Sequence, residues 1–167
     1  MASTTTLLGA AGEHYVMSQF LRHGLISALA PIGVPNADLI VTDDKGNKLC
    51  AIQVKTRANS GADGGWHMST KHEVIQSESL LYAFVDFTVP QDHAPVCYIV
   101  PSSEVAKAVR ESHALWLSKP GKKGQIRNNS DLRRFLPNYD KIGEELGRPS
   151  GWLDRYKNAW HLAMAHE

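Results

Sequence analysis

Cysteine is scarce in this chain, and long apolar runs are missing. Only two cysteines, Cys50 and Cys97, occur in 167 residues. Both lie in apolar stretches with strand character, so they read as reduced core residues and no disulfide framework is expected. No run reaches the roughly 20 apolar residues of a membrane-spanning helix. The first fifteen residues carry no basic leader, which makes the cytoplasm the expected location. The eight histidines show no HxH or HxxxH spacing, neither cysteine has a partner at zinc spacing, and His72-Glu73 lacks the second histidine of a zinc-protease helix. A GxSxG elbow and a phosphate-binding glycine loop are also missing. Zinc hydrolases, serine hydrolases and P-loop enzymes are therefore set aside. What remains is a chain with 43% hydrophobic and 21% charged residues, long enough for one domain with a sizeable core.

The order of elements follows from periodicity and turn residues. Residues about 5–23 predict a helix, with Val16, Met17, Phe20 and Leu21 at helical spacing, Ser3 or a neighbouring threonine as cap, and Gly24 as terminator. A Pro/Gly-rich loop runs from Pro31 to Pro35. Strands over about 37–42 and 48–56 flank Asp43-Asp44-Lys45-Gly46-Asn47, a strong hairpin turn. Further strands are expected near 66–70, 80–89 and 96–100. A helix capped by Ser102 or Ser103 follows, with Val105, Ala108 and Val109 on its apolar face. A single domain over 1–167 is expected, with a core over about 5–110, a basic linker over about 118–130 and a helical extension over about 130–164. In that extension Trp152, Tyr156 and Trp160 recur every four residues, a stripe that reads as core packing. The fold class is α/β, with a central mixed sheet flanked by helices.

The chemistry concentrates between Asp38 and Lys55. Gln53 and Lys55 are two apart on one strand and share a face, while Ile52 and Val54 point to the other. Polar groups on an otherwise apolar strand need partners there. Asp38 begins the neighbouring strand and can lie across the hairpin from them. Its carboxylate, the Gln53 amide oxygen and the Val54 backbone carbonyl are hard oxygen donors suited to Mg²⁺ or Mn²⁺. Lys55 beside the ion could orient a water or stabilise charge on a phosphorane-like transition state. Glu13 shares a helix face with Val16, Met17 and Phe20, where an acid either finds a partner such as this site or sits solvated at the margin of the stripe.

Glu13, Asp38 and the Gln53-Val54-Lys55 triplet resemble the PD-(D/E)xK nuclease superfamily, in the branch that holds Holliday junction resolvases and certain restriction endonucleases. The resemblance spans roughly residues 8–105. It implies a restriction endonuclease-like core and a Mg²⁺- or Mn²⁺-dependent endonuclease that hydrolyses DNA phosphodiesters in repair, recombination or restriction. It also implies a possible homodimer. The family roles fall on Asp38, Gln53 and the Val54 carbonyl as metal ligands, on Lys55 as assistant to the attacking water, and on Glu13 as support to the metal. Two departures stand out. Ala37 precedes Asp38, so the literal PD pair is missing. Gln53 also replaces an acid and removes one negative charge, which throws the metal onto Asp38 and Glu13. A catalytically weak or inactive nucleic-acid-binding module of the same fold is the alternative.

The net charge of +1 hides an asymmetry. Residues 1–100 carry six Lys/Arg against nine Asp/Glu, and residues 101–167 carry twelve against eight. Within the second part Lys119, Lys122, Lys123, Arg127, Arg133 and Arg134 face only Asp131 in sequence, so this segment reads either as a phosphate-contacting flank or as a solvated loop. His67, Ser69 and Lys71 would alternate onto one face of the strand near 66–70, where they either line a nucleic-acid groove or are simply exposed.

Overall fold

The computed structural model describes residues 3–58 and 63–164. Helix α1, Thr4–Arg22, starts where the Ser3 hydroxyl accepts the Thr6 N–H at 3.1 Å. It ends at Gly24, whose φ of +77° suits a residue without a Cβ. Val16 and Phe20 are fully buried and Met17 packs beside them, but Leu21 is 51% exposed and lies outside the stripe. Strand β1, Ile26–Leu29, occupies a segment to which the sequence pattern assigns no element. Its apolar Ile26 and Leu29 face solvent while Ser27 turns inward, so the alternation that signals a strand is lost.

Strands β2 (Leu39–Thr42) and β3 (Leu49–Arg57) form the expected hairpin. The Asp43 carboxylate closes its turn by accepting the Lys45 and Asn47 N–H groups at 3.1 and 2.8 Å. Strand β4, Trp66–Ser69, is followed by a 3₁₀ turn over Thr70–Glu73. Strands β5 (Leu80–Asp86) and β6 (Val96–Pro101) lead into helix α2, Ser102–Ser118. Neither serine caps α2. Pro101 holds the cap position, and the Ser102 hydroxyl instead donates to the Ser77 carbonyl and accepts the Ser77 N–H, both at 2.9 Å.

The main sheet has the order β1-β2-β3-β5-β6 and is mixed, with β3 and β5 parallel and the other neighbours antiparallel. Strand β4 lies outside it and pairs with β7, Leu132–Phe135, in a separate two-stranded sheet. One face of the main sheet packs on α1 through Val16, Phe20, Ile52, Val54 and Ala83. The other packs on α2 and the small sheet through Tyr82, Phe84, Trp66, Val109 and Phe135.

The helical extension expected over 130–164 is corrected. This region holds β7 and three short 3₁₀ turns, over Glu144–Leu146, Asp154–Tyr156 and Trp160–Ala163, and no α-helix. Pro137 and Pro149 interrupt it, and Gly147, Gly151 and Asn158 adopt positive φ, which a continuous helix cannot contain. The aromatic residues are core, though not as one stripe. Trp160 meets Phe20 edge-on at 5.2 Å on the α1 side, whereas Trp152 and Tyr156 pack on the opposite side.

Candidate active site

The hairpin register brings Asp38 to Gln53. Leu39 pairs with Ile52, and Asp38, just before Leu39, also bonds to Ile52 through its backbone, which leaves its side chain beside Gln53. The Asp38 backbone is held on both sides: its N–H donates to the Ile52 carbonyl and its carbonyl accepts the Ala30 N–H, each at 2.8 Å. Asp38 Oδ2 then accepts the Val54 N–H at 2.7 Å and the amide of Gln53. The side chain thus continues the ladder just before β2 begins. A strand residue's N–H and C=O point to the same side, so the Val54 carbonyl faces that same edge.

Helix α1 reaches this edge through Gly12. A Cβ there would lie 2.0 Å from Thr56 Cγ2, so only glycine lets the helix settle so close to β3. Glu13 follows at once. Burial pushes its carboxyl above the ordinary glutamate value, and the negative Asp38 pushes it further, against a small opposing effect of His14. Lys55 is half-buried. Burial pulls its ammonium down, Asp38 pulls it back up, and Lys71 pulls it down again. Asp38 is therefore the charge that both Glu13 and Lys55 feel. Direct contact joins Asp38 to Gln53 and to Val54, whereas Glu13 and Lys55 are tied to Asp38 through its charge.

The donors fit a hard divalent cation. Two carboxylates, an amide oxygen and a backbone carbonyl are all hard oxygen donors, and the Glu13 carboxyl is raised first by burial and then by the negative Asp38, a charge that a cation would offset. Among the described residues no three His, Cys, Asp or Glu side chains gather as a ligand set. The Gln53 amide presents its nitrogen, not its oxygen, to Asp38.

The phosphate-contacting candidates divide. Lys71 is exposed in the 3₁₀ turn after β4 and close enough to Lys55 for its charge to be felt. It shares no strand with His67 and Ser69, since β4 ends at Ser69. Lys122 and Lys123 are exposed. Lys119 is held by the Ile142 carbonyl at 2.6 Å and Glu145 at 3.2 Å. Arg127 donates to the Trp116 carbonyl at 2.7 Å and lies 4.6 Å over its ring. Lys119, Lys122, Arg127, Arg134 and Trp116 border a cavity of about 580 Å³. Arg133 departs from the expectation: it is 3% exposed and ion-paired with Glu73, so its guanidinium belongs to the interior. Arg134 is bound to Asp63. The acids that neutralise these arginines are remote in sequence, which is why the segment looks more cationic on paper than it is in space.

Three residues beside the site escape a sequence reading. Arg57 continues the Gln53, Lys55 alternation, pairs with Asp86 at 2.5 Å and lies 4.1 Å over the Trp66 ring. The alternation itself was the available signal. Tyr82 and His72 border Gln53 and Lys55 on the same sheet face. Tyr82 sits in a run of core-like residues, and nothing in the sequence marks it.

Comparison with solved structures now bears on the fold. The chain superposes on the bacterial homing endonuclease I-Ssp6803I with a TM-score of 0.53 at 16% identity, covering 97% of this chain and 91% of that one. The fold is restriction endonuclease-like. A Holliday junction resolvase, Hjc of Archaeoglobus fulgidus, also matches, with a TM-score of 0.45 at 13% identity over 84% of this chain and 96% of that one. No family model and no curated protein matches the sequence. The mixed five-stranded sheet with α1 and α2 on opposite faces is the architecture that the PD-(D/E)xK resemblance implies. Among the described residues no helix is long and apolar enough to cross a membrane.

Proposed function

We propose that the protein is a Mg²⁺- or Mn²⁺-dependent endonuclease that hydrolyses DNA phosphodiesters. The observation that carries this reading is the convergence on Asp38: its carboxylate is fixed by the Val54 N–H, and both Glu13 and Lys55 respond to its charge. Asp38 and Glu13 would hold the ion, completed by the Gln53 amide oxygen and the Val54 carbonyl. A bound divalent ion supplies Lewis-acid polarisation of the phosphodiester and a more acidic water.

The chain's own residues do the rest. Val54 N–H holds the Asp38 carboxylate in one orientation, so no reorganisation is needed when substrate arrives. The Lys55 ammonium, half-buried on the same face as Gln53, donates hydrogen bonds to the attacking water or to the phosphoryl oxygens. Its proton is also easier to release than that of an exposed lysine, because burial lowers its pKa. Lys71 beside it, with Lys122 and Lys123 on the basic flank, would meet backbone phosphates and set position rather than sequence. A homodimer would bring two such sites to one duplex, one for each strand.

A second reading has an observation of its own. Gln53 and Asp38 satisfy each other by a hydrogen bond, a state stable without metal that suits a DNA-binding module without turnover. A panel of branched, nicked and linear DNA incubated with Mg²⁺ or Mn²⁺ separates the two. Cleavage supports the nuclease. Binding without cleavage supports the module.

A further inference from the structure

The cavity of about 580 Å³ beside α2 has two kinds of wall. One is planar and apolar. Trp116 is half-buried there, with Leu136 and Ile142 also on the wall. The His113 ring, one helical turn earlier, stacks on Trp116 with ring centroids 5.5 Å apart and planes 24° apart. The Arg127 guanidinium lies 4.6 Å over the same ring and donates to the Trp116 carbonyl. Three planar groups thus gather at one place.

The other wall is cationic. Six lysines and arginines border the cavity against one acid, Asp63. Three of them are neutralised: Lys119 by Glu145, Arg133 by Glu73 and Arg134 by Asp63. Among the described residues Lys122, Arg127 and Lys141 meet no carboxylate, so the cavity keeps a positive charge. An apolar ligand would leave these cations unused, and a simple anion would leave the planar wall unused. A nucleotide uses both, because bases stack on aromatic rings and guanidinium planes while the phosphate meets the cations. The volume is that of an ordinary small-ligand site. A base inside a duplex cannot enter, since it must first leave the stack.

The turn over Thr70–Glu73 joins this cavity to the hairpin site. Lys71 is felt by Lys55, and Glu73 pairs with Arg133 in the cavity wall.

We propose that the cavity takes up one unpaired nucleotide of a DNA strand, with its base against His113, Trp116 and Arg127 and its phosphate at Lys122 and Lys141. The preferred substrate is then DNA with a single-stranded end, flap or gap rather than an unbroken duplex. None of Glu13, Asp38, Gln53 and Lys55 borders the cavity. The proposal therefore rests on DNA binding, which both readings above share, and not on the metal site.

The test is DNA binding in EDTA, followed by fluorescence anisotropy of labelled DNA and by tryptophan fluorescence. A blunt duplex is compared with the same duplex extended by a short single-stranded end. The wild type should bind the extended DNA about tenfold more tightly, the scale of one stacked base. The extended DNA should also quench tryptophan fluorescence more than the blunt duplex does. Trp116→Phe keeps a ring and should retain the preference while losing the extra quenching. Trp116→Leu has no ring and should bring the two DNAs within about twofold of each other. Lys141→Ala, a change at an exposed position, should weaken the extended DNA about threefold more than the blunt duplex. Free dAMP should quench only at concentrations far above that of the DNA. Equal affinity of the wild type for the two DNAs overturns the proposal, as does a preference that folded Trp116→Leu retains. If Trp116→Leu does not fold, an equal effect of Lys141→Ala on both DNAs overturns it. Quenching by dAMP at the DNA's concentration overturns the assignment to DNA, because the cavity then serves a free nucleotide. A preference for the extended DNA in a protein that cuts nothing with Mg²⁺ or Mn²⁺ strikes the nuclease reading and upholds this one.

Discussion

Gly12 and Thr56 meet so closely that no side chain fits on the helix between them: a Cβ at residue 12 would lie 2.0 Å from Thr56 Cγ2. The contact seats α1 on β3 immediately before Glu13, so the helix delivers its acid to the strand that carries Gln53 and Lys55. Gly12→Ala should therefore destabilise the protein by about 1–3 kcal/mol, the ordinary cost of overpacking, although alanine is the better helix former. Gly9, three residues earlier on the same helix, has nothing within 4 Å of a would-be Cβ. Gly9→Ala should stabilise by about 0.5–1 kcal/mol. Urea denaturation of the two variants checks the pair, and the same sign for both contradicts the packing account.

Glu13 gives the site a pH signature. Its carboxyl is raised by burial and then by Asp38. A raised folded-state pKa means that the protonated form suits the fold. Its contribution is fully present below the unfolded value of 4.5 and is lost as pH rises through the folded value. In metal-free buffer Glu13→Gln should accordingly be more stable than wild type at pH 8, and the advantage should vanish below pH 4.5. Saturating Mg²⁺ should reverse the order at pH 8, because the ion rewards the ionised carboxylate. Denaturation curves at several pH values, with and without metal, check both halves.

The basic segment should separate into structural and surface cations. Arg133 is buried against Glu73. Removing one partner of a buried ion pair leaves the other uncompensated, so Arg133→Ala should cost about 3–5 kcal/mol of stability. Lys122 and Lys123 are exposed. Replacing either by alanine should leave stability within about 0.5 kcal/mol and lower the salt dependence of DNA binding by about one unit of slope. Thermal melting and binding isotherms at several salt concentrations decide between the two classes.

What the sequence made legible follows from where the signals are local. The β2–β3 hairpin is written in Asp43 to Asn47 and in the alternation after Leu49, and α1 in the spacing of Val16 and Phe20. The meeting of Asp38 with Gln53 and Val54 is legible for the same reason, since one hairpin brings them together, whereas Glu13 has to be brought in from afar. The pairing of β4 with β7 and the Arg133–Glu73 ion pair join residues about 60 apart, and no local pattern announces them. The C-terminal region misled because Trp152, Tyr156 and Trp160 keep helical spacing while Pro149, Gly151 and Asn158 prevent a helix. The loop residues 59–62, part of a Gly/Asn/Ser-rich stretch in the sequence, lie outside the described residues.

The central claim is that Asp38 and Lys55 together perform metal-dependent hydrolysis. The most direct measurement is nicking of supercoiled plasmid DNA in Mn²⁺ by the wild type, Asp38→Asn and Lys55→Ala, each shown to be folded by circular dichroism. The account predicts cleavage by the wild type, none in EDTA, and a loss of at least about a hundredfold in each variant, the scale set by losing a general acid or base or a transition-state charge. Cleavage by folded Lys55→Ala at the wild-type rate, or a wild type that binds DNA in Mn²⁺ and leaves every strand intact, would contradict it.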